Sequence, residues 1–539
     1  MHSLLSFYSS IALAAATVSA SSYQPCPLLR AYFSPPTIDK TSKAVASLTQ
    51  DFTAVFDKLV QTGKSEDFGE ITPNTTSFSV VLYTGAEDAT TDPIFFEYHH
   101  TATEVKTSDN VTAESLFPVG TLTQLFTVYA WLAEMGDREW DTPITTFLPE
   151  LKNTKNASSF DIVTHVNWDD ITIGALTSQM SGLARDSYAC EVDAACNAKD
   201  FLDTFASRPA LFLPDTTPII SNAAYQLVAV ALESHKKGTY SDIFSKSVID
   251  PLHLEKTGFI CKDKAQTLFG QSLNTSTKGE QAALSLYSST SDLAKAGHAM
   301  LSSRLLKPAQ TRRWLQPIAD TSNLRNGVGR PWEIYHAGQY ANSSILDVFT
   351  KTGVIGQYSS YFGLAPDFNV GFAILAHDTE ANPDLNVYAD IVSLALVEMQ
   401  QLALKETASL YAGKFVGEGE GNRAAFHVSD EGPGLVVKEL VVGGADLRAE
   451  AAAAKGIKLE SLDFRLYPTN VRTKTQHQFV AVFQDRDAPV DQGTPTCITW
   501  QDVDSIGQDA VSRAVFEFDD TGIAKAISLP TKNTRLSKS

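Results

Sequence analysis

The order of apolar patterns along the chain predicts an α+β fold: an antiparallel sheet flanked by helices with a helical region beside it, followed by a small β-rich C-terminal domain. Period-two runs come first, a long stretch of helices and loops interrupts them, and further period-two runs precede a closing helix. From about residue 408 the texture changes to short alternating runs such as "GLVVKELVVGG" and "HQFVAVFQD". A chain of 539 residues also exceeds what one hydrophobic core usually serves. The expected divisions are a leader over 1–20, a first domain over 21–407 and a β-rich domain over 408–539.

The leader, "MHSLLSFYSSIALAAATVSA", has an apolar stretch from Ile11 to Val18 and small residues before Ala20, the pattern of a cleaved secretory signal. Export is the resulting expectation, with no membrane span left after cleavage. Sequons at Asn74, Asn110, Asn156, Asn274 and Asn342 agree with a glycoprotein. Cys190 and Cys196 are spaced to close a small disulfide loop in an oxidising compartment, while the pairing of Cys26, Cys261 and Cys497 stays open. After a proline-rich lead-in, Val45, Leu48, Phe52, Val55, Phe56 and Leu59 fall on one helical stripe. "SFSVVLYTG" (77–85) and "PIFFEYHH" (93–100) read as a hairpin. The apolar run from Leu125 to Leu132 reads as a buried helix ending near Gly136.

Residues 141–341 read mostly as helices and loops. Strands return in "DVFTKTGVIGQYSSYFGLAPDFNVGFAILAHD" with a turn at Pro366–Asn369, and a helix from Leu385 to about Thr407 closes the domain. The C-terminal runs fit a barrel or a sandwich, with "DLRAEAAAAKG" as one or two helical turns. The formal charge of −19, with no block of like charge, argues against nucleic acid and anionic membranes as partners and otherwise reads as solubility. No Cys/His cluster has zinc spacing, no metal or other cofactor is implied, and oligomeric state is not legible.

Five segments carry a resemblance: "FPVGTLTQLFTVYAWLAEMGDREWDTPITTFLPEL", "ITIGALTSQMSGLARD", "PIISNAAYQLVAVALE", "STSDLAKAGHAML" and "KTGVIGQYSSYFGLAPDFNVGFAIL". In this order, over about 40–400, the chain resembles the β-lactamase-like serine hydrolases related to class C β-lactamases, penicillin-binding proteins and esterases, and is most similar to the secreted fungal members. The resemblance implies the β-lactamase/transpeptidase-like fold. It also implies a nucleophile motif Ser-x-x-Lys at a helix start, here Thr121-x-x-Gln124. The serine would attack an acyl group and the lysine, one turn on and on the same face, would take its proton. A glutamine amide is no base. A second motif, Tyr-x-Asn, matches Ile220-Ser221-Asn222, which keeps the amide and lacks the phenol. The third, Lys-Thr-Gly, matches Lys351-Thr352-Gly353, whose lysine is expected to offer positive charge to a ligand. Backbone N–H groups of Thr121 and Val354 would form the oxyanion hole.

Other readings of the same residues stand beside these. Thr121 and Gln124 have the spacing of a helix cap and its capping-box partner. Ile220 reads as filling the space of the missing ring, Tyr358 and Tyr361 as packing or lining the cleft, and His336 or His377 as substitute bases. Two functions follow as expectations. One is a secreted pseudoenzyme whose old acyl pocket binds, or transforms non-covalently, a small metabolite or peptide. The other is an altered enzyme: an esterase, amidase, lactamase or transacylase using Thr121, or a repurposed isomerase or cyclase of a metabolite pathway.

Overall fold

The computed structural model describes residues 23, 28–30, 32–105, 110–152, 161–186, 198–259, 281–337, 345–419, 421–429, 432–488, 503, 505–519 and 522–539. All five cysteines, Asn156, Asn274, Asn342 and the leader lie outside these. The chain divides into two compact units. One comprises 38–337 with 347–398; the other comprises 399–539 with the segments 1–37 and 338–346.

In the first unit, α1 (Lys43–Thr62) starts at Ser42, whose hydroxyl accepts from Val45 N, and stops at Gly63 in the left-handed conformation. Its buried stripe is Val45, Leu48, Phe52, Phe56 and Leu59. Val55, expected on that stripe, sits at its margin and is 37% exposed. Strands β1 (Thr76–Thr84) and β2 (Ile94–His100) form the expected antiparallel hairpin, with Phe78 opposite His100. Helix α2 (Thr123–Met135) ends at Gly136, whose N–H returns to Leu132 O. Helices α3 (Asn222–Lys236) and α4 (Thr290–Leu301) are capped by Ser221 and Ser289 side chains.

Residues 319–337, expected as helix or loop, form three strands: β3 (Ala319–Asp320), β4 (Asn326–Val328) and β5 (Glu333–Ala337). In β5 the period-two alternation buries Ile334 and sends Tyr335 outward, and its backbone groups pair with β4 at the sheet edge. Then come β6 (Leu346–Ile355), β7 (Tyr358–Ala365), β8 (Val370–Asp378) and α5 (Asn386–Tyr411). The antiparallel sheet runs β2-β1-β8-β7-β6-β5-β4-β3, so the early hairpin joins the late strands through β1 and β8, with Val80 opposite Ile374.

Alternation along β1 sorts the helices onto two faces. Phe78 packs its ring on Phe56 of α1 at 6.3 Å and on Tyr388 of α5 at 4.7 Å. Ser79, pointing the other way, shares a 2.7 Å hydrogen bond with Thr290 at the start of α4. By length and apolarity α5 could cross a membrane; its Tyr388, Ile391, Val392 and Met399 are buried, while Leu394 and Val397 are exposed.

In the second unit, β9 (Gly413–Val416), β10 (Arg423–Ser429), β11 (Gly432–Val442), β12 (Leu462–Arg472), β13 (Gln476–Asp485), β14 (Arg513–Phe518), β15 (Ala524–Leu529) and β16 (Thr534–Lys538) close on themselves. The closing pair is β10 with β11, Arg423 opposite Val441, which makes an eight-stranded barrel and leaves no sandwich. The Ala-rich stretch is α6 (Leu447–Lys455), capped by Asp446 and ended by left-handed Gly456. Inside the barrel the Phe516 ring meets those of Tyr411, Phe426 and Phe479 at 5.2, 5.6 and 5.1 Å. Because Phe516 is fully buried, Phe516→Ala should cost about 3–5 kcal/mol, read as a lowered denaturation midpoint in urea.

Candidate functional site

The site begins where a short strand becomes a helix. Phe117 and Pro118 pair with Ser288 and Tyr287, and Val119 N donates to Leu286 O at 2.9 Å. One 3-10 turn, Gly120–Leu122, then feeds α2. Gly120 has φ +54, and a Cβ there would lie 2.7 Å from the Val354 carbonyl carbon and oxygen. A Cβ on Gly353 would lie 2.1 Å from Val119 O. Turn and strand β6 are thus in backbone contact that only glycine permits, and Ser360 Oγ donates to Val119 O at 2.8 Å across the same junction. Thr121 is next to Gly120, and Val354, 50% exposed, is the residue against which Gly120 packs.

Thr121 and Gln124 do not cap α2. The helix begins after Leu122 with no side-chain cap, because Thr121 is already inside the 3-10 turn. Its hydroxyl instead donates to Thr352 O at 3.1 Å. Gln124, fully buried, donates from Nε2 to Asn222 Oδ1 at 2.9 Å. Asn222 in turn donates from Nδ2 to Asp186 Oδ1 at 2.5 Å. The structure therefore joins Gln124 and Asn222 directly and adds Asp186, the last residue of "ITIGALTSQMSGLARD". Asn222 is held there because its own N–H donates to Arg185 O at 2.7 Å, so the loop that ends in Asp186 also seats the first residue of α3.

Lys351 belongs to a second network. Its ammonium, almost fully buried, donates to Glu333 Oε1 at 2.5 Å and to Thr352 O at 3.2 Å. Glu333 Oε2 accepts from Thr352 N at 3.0 Å and from Thr352 Oγ1 at 2.7 Å. Thr121 and Lys351 hence share one acceptor, Thr352 O, and the lysine charge is balanced by Glu333. Sequence reasoning missed Glu333 because β5 was not read as a strand; the signal was the alternation in "WEIYHA".

Ile220 fills no ring-shaped gap, being 47% exposed, and Ser221 Oγ is engaged in capping α3 and donating to Ala184 O. Tyr358 is buried in the core and Tyr361 packs edge-on against Phe372. Burial, and then the neighbouring Glu333 carboxylate, push the Tyr225 phenol far above its ordinary range, so it stays protonated; it donates to Thr177 O. His336 pairs through Nδ1 with Asp347 Oδ1 at 2.7 Å. The His377 ring is buried against Tyr358 at 4.6 Å, and burial holds its imidazole down to about 4. Asn74 and Asn110 are exposed. Among the described residues no group of His, Cys, Asp and Glu could hold a metal ion.

A family model described as beta-lactamase matches residues 89–412, and one described as beta-lactamase-like-like, C-terminal domain, matches 403–539. A beta-lactamase-like protein of Arthroderma benhamiae is 23% identical over 489 residues, covering 83% of this chain and 77% of its own. A Phoma sp. protein named probable hydrolase M10 is 21% identical and covers 97% of this chain and 91% of its own. Among solved structures, the beta-lactamase/D-alanine carboxypeptidase from Yersinia pestis complexed with citrate superposes with a TM-score of 0.50 at 14% identity, covering 66% of this chain and 99% of that one. That last similarity is one of fold.

Two outcomes are expected from this geometry. Gly353→Ala drives a methyl group into the Val119 carbonyl and should lower stability by about 3 kcal/mol in chemical denaturation. For His377, the imidazole titrates near 4 when folded and 6.5 when unfolded. Between those values only the unfolded chain takes up the proton, so this residue's effect is a loss of stability as pH falls, about 3 kcal/mol in all. Urea midpoints measured across that window should fall less steeply in His377→Gln than in the native chain.

Proposed function

The chain belongs to the β-lactamase family, and on that premise we propose that its cleft binds a small metabolite or peptide, or transforms one without a covalent acyl intermediate. The observation that carries this reading is the Gln124 amide. It occupies the position where the family's mechanism needs an amine, and its donor is committed to Asn222. Thr121 correspondingly directs its proton to a backbone carbonyl, which cannot accept it as a base would. His336 and His377, the alternative bases, are held by Asp347 and by the core. What remains is a backbone contact fit for binding a carbonyl oxygen and a set of fixed amides, which suits orientation and electrostatic stabilisation. We extend the proposal to secretion and glycosylation, supported by the leader pattern and by the exposure of Asn74 and Asn110.

A second reading, an active hydrolase or acyltransferase using Thr121, is favoured by the name of the Phoma protein, probable hydrolase. Exposure to a fluorophosphonate followed by intact-mass measurement separates the two. The expected result is no adduct, for the native chain and for Thr121→Ala alike. A stoichiometric adduct on the native chain that Thr121→Ala abolishes would establish the second reading and remove the first.

A further inference from the structure

The outer wall of the barrel carries a charged cavity built around a bulge. Along β11, Val437 and Leu440 belong to the barrel core, yet the two residues between them, Lys438 and Glu439, both line a cavity outside it. Strict alternation would send one of the two inward. The register with β10 gives the reason: Ala425 lies opposite Glu439 and Phe426 opposite Val437, so Lys438 is the extra residue of a β-bulge, a device that re-aims a side chain. After β11 the chain turns back through Gly443 and Gly444, whose φ values of +58 and +84 suit a two-residue hairpin. Arg423, Val441 and Asp446 thereby stand in one row across three strands. Asp446 Oδ1 accepts from Arg448 N at 2.9 Å, and Arg448 Nη1 donates to Lys438 O at 3.0 Å, so the bulge carbonyl fixes the guanidinium beside the re-aimed lysine.

The cavity these residues enclose has a volume of about 520 Å³, within the range of small-molecule sites. Arg423 is paired with Glu439. Lys438 is exposed, and among the described residues no carboxylate forms an ion pair with it or with Arg448. The carbonyl that holds Arg448 positions its charge without neutralising it. Three cations against two carboxylates leave this lining net positive in a chain whose formal charge is −19. An arriving anion would relieve the repulsion between the ammonium and the guanidinium and gain charge-assisted hydrogen bonds from both. Glu439 and Asp446, ionised, can only accept, so they call for hydroxyl donors on the same ligand.

We propose that this cavity binds a hydroxylated carboxylic acid of sugar size, with its carboxylate between Lys438 and Arg448 and its hydroxyls directed to Glu439 and Asp446. A single negative charge matches the lining, whereas a dianion meets the two carboxylates and the acidic chain around them.

Calorimetric titration of the full chain with D-glucuronate, D-glucose, cyclohexanecarboxylate and D-glucose 6-phosphate tests this. Glucuronate should bind about tenfold more tightly than glucose, which lacks the charge, and at least about threefold more tightly than cyclohexanecarboxylate, which lacks the hydroxyls. The phosphate ester should bind more weakly than glucuronate. Lys438→Gln should lower glucuronate affinity about five- to tenfold and leave the urea midpoint unchanged, because no hydrogen bond or ion pair of the Lys438 side chain is lost. Arg448→Gln should lower it by a similar factor. Absence of glucuronate binding, glucose binding as tightly as glucuronate, or an affinity that survives both substitutions overturns the proposal. A tighter phosphate ester overturns the carboxylate assignment, and cyclohexanecarboxylate matching glucuronate overturns the part given to Glu439 and Asp446.

Discussion

The contact on which the site depends is between two stretches of backbone. Gly120 lies against Val354 and Gly353 against Val119 at separations that leave no room for a Cβ on either side. Backbone atoms cannot move aside as the end of a flexible side chain can, so the spacing between the turn and β6 is set by two missing methyl groups. Through that spacing α2 is held against the sheet, Thr121 is brought within reach of Thr352 O, and Val354 is left at the surface beside it. None of this requires a serine or a lysine. The backbone contact does not depend on which side chains stand at 121 and 124, because architecture and chemistry rest on different atoms.

Charge and hydrogen bonding then decide what the architecture can do. A lysine as deeply buried as Lys351 needs a counter-ion, and Glu333 supplies it while also receiving the N–H and hydroxyl of Thr352. One carboxylate therefore ties β5 to β6 and removes the net charge of the site edge. On the other side, Gln124, Asn222 and Asp186 form a chain in which each donor has an acceptor. In neither network does Thr121 donate to a carboxylate or an amine; its hydroxyl is bonded to Thr352 O. Electrostatic positioning is what such an arrangement retains.

The fold was legible wherever a period ran long enough. The stripe of α1, the hairpin of β1 and β2, the buried run of α2 and the alternation after residue 408 each appear as elements at nearly the expected bounds. Strands β3 to β5 were not legible, because they are two, three and five residues long and owe their state to pairing at a sheet edge. That gap hid Glu333, and with it the neutralisation of Lys351. The capping reading of Thr121 and Gln124 failed for a related reason. Spacing of three residues fits a capping box, but the chain enters α2 through a 3-10 turn that already contains Thr121, and Gln124 turns instead to Asn222, 98 residues on in sequence. Closure of the barrel likewise depends on β10 meeting β11, which alternation along single strands cannot reveal.

On the proposed reading, a site that had merely lost its chemistry and one adapted to another ligand would differ in how their polar groups are balanced. Loss without adaptation should leave unmatched partners on both sides of each lost group: an amide without its amine, a lysine without its anion. Here the amide meets glutamine, the lysine meets glutamate, and Asp186 anchors the series. Half-satisfied buried networks are worse than apolar cores of the same volume, so near-complete matching argues for a site that keeps its shape.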